Sequence, residues 1–392
     1  MTLYFDPFDH TTYDNPYPIY RRLRDEAPAY YNEKFGFWVL SRYDDCFAAL
    51  RDFHTYCHRF GITLEPVSPN VLPSLLRMDP PDHTRLRRVV SRVLTPQKVA
   101  RLEGYIHALV CRLLEPCRDT GSIDIVADFS SKVPMTVISH LLQVPEPDHE
   151  MMRQLTEDAV HRDDGVFKIP QRGFDACAKL LAYFVELIAD RRKHLSEDSE
   201  DLLSLLIAAN NRDEISEQEM LGFVFLLGIA GNEGVTRFIG NMVQQFDAHP
   251  DQRRLLIDNP DMMPAAIEEV MRFDGPTQLQ ARTLTRDVTL HGVTMKEGSK
   301  VGLLFISANR DERHFDDAER FDIRRNPKGH LGFGGGVHSC LGAALARLEA
   351  RVAFSEVLKI MPEYVVDRAN LVRMYSPNVR GYVHVPVSFR PH

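Results

Sequence analysis

The chain has 392 residues, 44% of them apolar and 26% charged, ample for a sizeable core. Its 47 basic and 55 acidic side chains leave a formal charge of −8 without any basic tail or block, which excludes a dedicated nucleic-acid binder or a polybasic membrane anchor. The six cysteines, at positions 46, 57, 111, 117, 177 and 340, form no CxxC pair and no zinc-finger spacing, so no disulfide framework is predicted.

The N-terminus carries Asp6 and Asp9 where an export signal needs a basic segment followed by an apolar run. The longest apolar stretch, Gly222 to Gly231, is half of the roughly 20 residues that span a bilayer. A soluble, cytoplasmic protein without membrane insertion is expected. Residues 15 to 65 open with prolines, then give a helix-like Ile19 to Asp25 and a strand-like Phe37-Trp-Val-Leu40, the start of a small sheet. Apolar residues then recur at helical spacing through 83–95, 97–115, 132–142, 172–194, 200–209 and 217–247. Alternating segments return at Val288–Val293, at Lys300–Phe305 and from Val383 to Phe389. The fold class is mainly α with a minor β portion. No repeat or long linker interrupts residues 1–392, which read as a single domain.

The best-marked element is the central helix, opened by the capping box Ser216-Glu-Gln-Glu219 and stopped at His249-Pro250. Its middle, Leu226 to Gly234, is nearly all apolar, as in a helix buried in a large core. Gly228, Gly231 and Gly234 each cost about 1 kcal/mol relative to alanine in a helix interior. They call for a body in close approach, either another helix or a bound group.

Phe333-Gly-Gly-Gly-Val-His-Ser-Cys-Leu-Gly342 precedes an excellent helix former, so Cys340 sits where a helix begins. Converging backbone N–H groups there favour thiolate over thiol, as a metal-ligating or reactive sulfur requires. A zinc site needs more partners than His338-x-Cys340 provides. A dinucleotide loop needs a preceding strand and a later acid, and leaves the cysteine without a role. A lone thiolate at a glycine-rich helix start suits an axial haem ligand.

At this segment the chain resembles the cytochrome P450 haem-thiolate monooxygenases of soluble bacterial type, matching their FGxGxHxCxG signature at every specified position. The resemblance implies the cytochrome P450 fold and haem b. It makes Cys340 the iron ligand, with Phe333, Gly342 and Gly231 against the cofactor. Glu269-Val-Met-Arg272 resembles the family's ExxR, completed by Arg320 in Glu319-Arg-Phe-Asp322, a structural trio that holds the ligand loop. His83 and Arg87 in Asp79–Arg87, together with Arg282 and His338, resemble the partners of the haem propionates.

Ala230-Gly-Asn-Glu-Gly234 is similar to the family's oxygen-binding AGx(D/E)T but has Gly234 in place of threonine. Glu233 matches the acid beside it, so Glu233 and Gly234 are the catalytic candidates. Thr236 lies about 200° around the helix from 234 and cannot replace the missing hydroxyl. The implied substrate is a small to medium apolar molecule near Ile229, Ala230, Thr277 and Gln278. Arg59–Arg77 and Ser376–Val379 are further segments near it. The implied electron source is a separate ferredoxin-type partner and its reductase, docking near Arg88 and Arg92. Gly234 also raises a peroxide-using, coupling or rearranging enzyme as an alternative, and a haem sensor without turnover is a third.

Overall fold

The computed structural model describes residues 3–65, 72–163, 166–196, 199 and 201–391. Helix α1 (Tyr17–Glu26), strands β1 (Ala29–Asn32) and β2 (Phe37–Leu40), helix α2 (Tyr43–Arg51) and strand β3 (Tyr56–Cys57) form the N-terminal portion. Helices α3 (Asp82–Val90), α4 (Pro96–Ala100), α5 (Glu103–Leu114) and α6 (Cys117–Thr120) follow, then strand β4 (Ser122–Asp124) and a π-helical turn at Ile125–Ser130. The body comprises α7 (Lys132–Leu142), α8 (His149–Val160), α9 (Gln171–Lys193), α10 (Leu202–Asn211), the central α11 (Glu217–Ala248), α12 (Pro250–Asp258) and α13 (Met263–Asp274). Strands β5 (Leu279–Leu284), β6 (Val288–Leu290), β7 (Val293–Met295) and β8 (Lys300–Leu304) come next. After them are α14 (Phe305–Asn309) and α15 (Ala343–Ile360). The tail holds β9 (Val365–Val366), β10 (Val372–Arg373), β11 (Tyr382–His384) and β12 (Pro386–Ser388).

Helix α11 runs 32 residues, or about 48 Å at 1.5 Å per residue. Ser216 accepts from the Glu219 N–H while the Glu219 carboxylate accepts from the Ser216 N–H, so both halves of the capping box are formed. Phe223, Val224, Phe238, Ile239, Met242, Val243 and Phe246 are buried along α11 and belong to one apolar cluster with residues of α5, α7, α9, α13 and α15. Proline 250 cannot continue α11; it starts α12 at the first helical position instead.

The strands of the N-terminal sheet run in the order β1-β2-β8-β5-β3. Here β2 and β8 pair in parallel, Phe37 opposite Lys300 and Leu40 opposite Leu303, so the first strands close on the last third of the chain. The β6–β7 hairpin turns through His291 and Gly292, both at positive φ, as a two-residue turn of this twist demands. Among the described residues no helix is long and apolar enough to cross a membrane.

Candidate functional site

Cys340 lies between a short 3₁₀ turn at Gly336–His338 and the first residue of α15. Its N–H donates to the Phe333 carbonyl at 2.9 Å, which folds the glycine-rich segment into a loop. Gly336 has φ +63°, and a Cβ there would lie 2.3 Å from the Leu50 carbonyl oxygen at the end of α2. Only glycine fits that backbone conformation and that close approach.

The Cys340 residue is open to solvent-sized contact although protein surrounds it. Burial pushes its thiol pKa up, while the Gly342 N–H and the charges of Arg87 and Arg347 act in the opposite direction. The helix start therefore does not make a thiolate unaided; a cation bound to the sulfur would deprotonate it.

Facing groups come from α3, from the residues after β3, and from β5. Arg87 donates to the Ser339 carbonyl at 2.6 Å. The His83 and His338 rings lie 4.0 Å apart, and His58 stacks on His338 at 3.4 Å with 12° between planes. His58 Nδ1, both ring nitrogens of His83, His338 Nε2 and Arg282 Nε are buried without hydrogen-bond partners. Burial, with nearby positive charge, holds the imidazoles largely neutral, His83 at about 4 and the other two lower. Burial likewise brings Arg282 down to about 9. Unsatisfied buried donors on this scale are costly, and an anionic group satisfies them. A Cβ at Gly342 or Gly234 would meet nothing within 4 Å, and Ala230 is exposed in mid-helix. The donors, the open sulfur and the open glycine faces fit a flat group bearing carboxylates, which is haem b.

The loop is braced by two adjacent glutamates of α13. Glu269 and Arg272 are fully buried; Arg272 Nε and Nη2 donate to the two carboxylate oxygens at 2.8 Å each. Arg272 also donates to the carbonyls of Asn309, Ala318 and Arg320. The third cation of this trio is Arg325, whose Nε lies 3.3 Å from Glu269. The expectation for Arg320 is thereby corrected: its guanidinium is 62% exposed and pairs with Asp322 at 3.5 Å, and only its backbone carbonyl joins the network. The chain turns at Asp322, whose own N–H caps Glu269, and this turn carries Arg325 inward. Glu268, next in line, accepts from Arg347 at 2.6 and 2.8 Å and bonds His330 at 2.8 Å, joining α13 to both flanks of the cysteine loop. Arg347 in turn lies 4.3 Å over the Phe333 ring.

On α11, a Cβ at Gly231 would lie 2.8 Å from Ile138 of α7, so this glycine serves helix packing. Gly228 is likewise closed by Phe184. Glu233 is buried and accepts from Arg237 Nε and Nη2 at 3.1 and 2.9 Å, one turn along, while Arg237 Nη1 reaches the Tyr382 carbonyl at 2.7 Å. The pair borders a cavity of about 190 Å³ whose polar lining includes Ser131, Arg153, Glu157, Asn232, Thr236 and His384. Thr236 bonds the Ser130 carbonyl and Asn232, away from position 234.

Of the substrate candidates, Ile229 is half-buried beside exposed Ala230, Thr277 bridges Val379, and the buried Gln278 donates to the Pro377 carbonyl with its own oxygen unpartnered. Residues 66–71 of the segment 59–77 lie outside the described residues. His58, Arg325, Glu268, His330 and Arg347 escaped the sequence reading. The one local signal is proximity, since Arg325 lies three residues beyond Glu319-Arg-Phe-Asp322.

The family profile described as cytochrome P450 matches residues 256–360. Cytochrome P450 123 of Mycobacterium bovis is 41% identical over 392 residues, covering 98% of this chain and 97% of the relative. The chain belongs to the cytochrome P450 family. Its backbone superposes on P450s of known structure: CYP109E1 from Bacillus megaterium in complex with testosterone (TM-score 0.89, 29% identity, 96% and 98% of the two chains). P450BioI in complex with an acyl carrier protein bearing hexadec-9Z-enoic acid is similar (TM-score 0.87, 30% identity, 97% and 100%). As a cytochrome P450 the protein is a haem-thiolate monooxygenase that binds haem b, acts on small molecules and draws electrons from a redox partner.

Proposed function

We propose that this P450 works in the cytoplasm with Cys340 as the axial ligand of haem b. In this reading it places one oxygen atom from dioxygen into a medium-sized, largely apolar molecule, using electrons from a separate ferredoxin and its reductase. The observation that carries the assignment of the site is the convergence of unpaired buried donors on His58, His83, His338 and Arg282 beside the open sulfur of Cys340. When bound, the haem supplies oxygen activation, which a thiolate ligand favours by donating electron density.

The chain's own residues do the rest. His83, Arg87, Arg282 and His338 hold the propionates, Phe333 and Gly342 flank the sulfur, and Glu269, Arg272 and Arg325 fix the loop that presents it. Glu233 keeps a carboxylate oxygen on Arg237 at the wall of a polar cavity able to hold water, a store from which protons reach α11. Gly234 offers no hydroxyl, so the proton at that point rests on water or on a substrate hydroxyl. Ile229, Ala230, Thr277 and Gln278 meet the substrate, and a steroid or long acyl chain, the ligands of the two structures above, sets its chemical class. Exposed Arg88, adjacent to Arg87 on α3, receives an acidic ferredoxin; Arg92 is already paired with Glu214 at 2.8 Å.

Three measurements test the reading. Cys340→Ser should abolish the red-shifted Soret band of the reduced carbonyl complex, and its persistence refutes the ligand. With ferredoxin and reductase, Gly234→Thr should raise product per electron for poorly coupled analogues. Efficient turnover with hydrogen peroxide alone, and none with ferredoxin, overturns the dioxygen route.

A further inference from the structure

Outside the haem site, three side chains with metal-ligating atoms converge where α5 packs on α15. His107 and Cys111 are one turn apart on α5, hence on the same face, and Glu356 projects from α15 opposite them. His107 Nε2 lies 3.3 Å from Glu356 Oε1, Cys111 Sγ lies 3.8 Å from His107 Nε2, and all three ligand atoms fall within 4.8 Å of one another.

We propose that His107, Cys111 and Glu356 form a zinc site that clamps α5 to α15, with water as the fourth ligand. Bonds of about 2.0–2.1 Å to nitrogen, 2.0–2.2 Å to oxygen and 2.3 Å to sulfur give a tetrahedron whose edges are roughly 3.3–3.6 Å. The nitrogen–oxygen edge already has that length and the sulfur–nitrogen edge is a few tenths longer; the sulfur–oxygen edge, within 4.8 Å, is closed by rotating the Cys111 side chain toward Glu356. The donors, one thiolate, one imidazole and one carboxylate, suit zinc rather than magnesium or calcium. The His107 side chain is 54% exposed, which leaves a path for the ion and room for water.

Besides His107, Glu356 accepts from Lys359 at 2.6 Å, whose side chain is 67% exposed. Its ammonium moves into water at little cost when a dication arrives. Binding exchanges the Cys111 thiol proton for the metal and releases it to solvent; with thiolate, carboxylate and neutral imidazole the charge of zinc is balanced, and affinity rises with pH. Arg351 on α15 bonds Glu103 on α5 at 2.7 Å one turn away, so the two helices are already held in register for the third ligand. No motif spacing announces the site, because the pair on α5 is completed only by a residue 245 positions later on another helix.

The test uses chelator-treated holoenzyme, in which Cys340 is engaged by haem, and zinc competed against a chromophoric indicator. One equivalent should bind, the zinc absorption edge should show one sulfur at about 2.3 Å, and zinc should raise the melting temperature. His107→Ala and Cys111→Ser, both at partly exposed positions, should each weaken binding at least about tenfold with haem content unchanged. Independently of any variant, zinc should protect Cys111 from alkylation by iodoacetamide, read by peptide mass spectrometry. Failure of the holoenzyme to take up zinc, a loss of less than about tenfold in either variant, or alkylation of Cys111 at an undiminished rate overturns the proposal.

Discussion

Replacing Arg325 by alanine should destabilise the protein while the same change at Arg320 should not. Arg325 is 16% exposed and places Nε on the fully buried Glu269, with Nη2 on the Asp317 carbonyl at 3.0 Å and Nη1 on the Asp316 carbonyl. Hydrogen bonds to charged groups contribute about 1.5–3 kcal/mol each, but Arg272 stays on the carboxylate and part of the guanidinium is wet. A total of about 2–3 kcal/mol is expected for Arg325→Ala, below the ~3–5 kcal/mol for losing Glu269 itself. Unfolding entropy for 392 residues is roughly 0.8 kcal/mol/K, so Arg325→Ala should lower the melting temperature by about 3 °C. Arg320→Ala removes an exposed pair with Asp322 worth ~0–1 kcal/mol, a shift near 1 °C or less. The assay is differential scanning calorimetry at one scan rate on preparations matched for haem. Equal shifts, or a larger one for Arg320→Ala, would refute the assignment of the third partner.

Three other outcomes follow from the geometry. Gly222→Ala should strongly destabilise, since a Cβ would sit 1.9 Å from the Pro73 carbonyl, whereas Gly234→Ala meets no protein atom within 4 Å and, in haem-free protein, should gain about 1 kcal/mol of helix propensity; thermal melts of the haem-free variants in the reverse order would contradict the packing of α11. Glu349 is buried without a partner on one oxygen, and burial raises its pKa to about 8, so the folded chain holds a proton that the unfolded chain releases above about 4.5. Stability then falls as pH rises between those values, and Glu349→Gln should narrow the difference in melting temperature between pH 5 and pH 8; an unchanged difference would show that Glu349 is not its source. Arg88→Glu should slow reduction by an acidic ferredoxin at low ionic strength with substrate affinity unaltered, and an unchanged rate moves the docking face elsewhere.

Helix boundaries were most legible where local chemistry set them. The capping box at Ser216 and the proline at 250 bound α11 to within a residue of the expected 217–247, and Phe37–Leu40 is a strand as its composition implies. The cysteine loop was readable because glycine, histidine and cysteine stand close in sequence. What stayed hidden depends on chain reversal. Arg325 replaces Arg320 because a turn at Asp322 points the later arginine inward, and His58 reaches His338 only after β3 has paired with β5, Tyr56 opposite Leu284. Gly231 and Gly234 look alike in sequence, yet Ile138 of α7 covers one and leaves the other open. The carboxylate of Glu233 found its partner at i+4, a spacing visible from the start, and burial is what made the pair significant.

The parallel pairing of β2 with β8 sets a timetable for synthesis. A ribosome adding about 5–20 residues per second needs on the order of tens of seconds to travel from Leu40 to Lys300. Throughout that interval Phe37-Trp38-Val39-Leu40 has emerged and its central partner does not yet exist, so the hairpin with β1 is all the chain can build there. A nascent chain stalled short of residue 300 therefore presents this apolar strand to chaperones and to other chains, and co-expression of a holdase should act on the first sixty residues before any haem is captured.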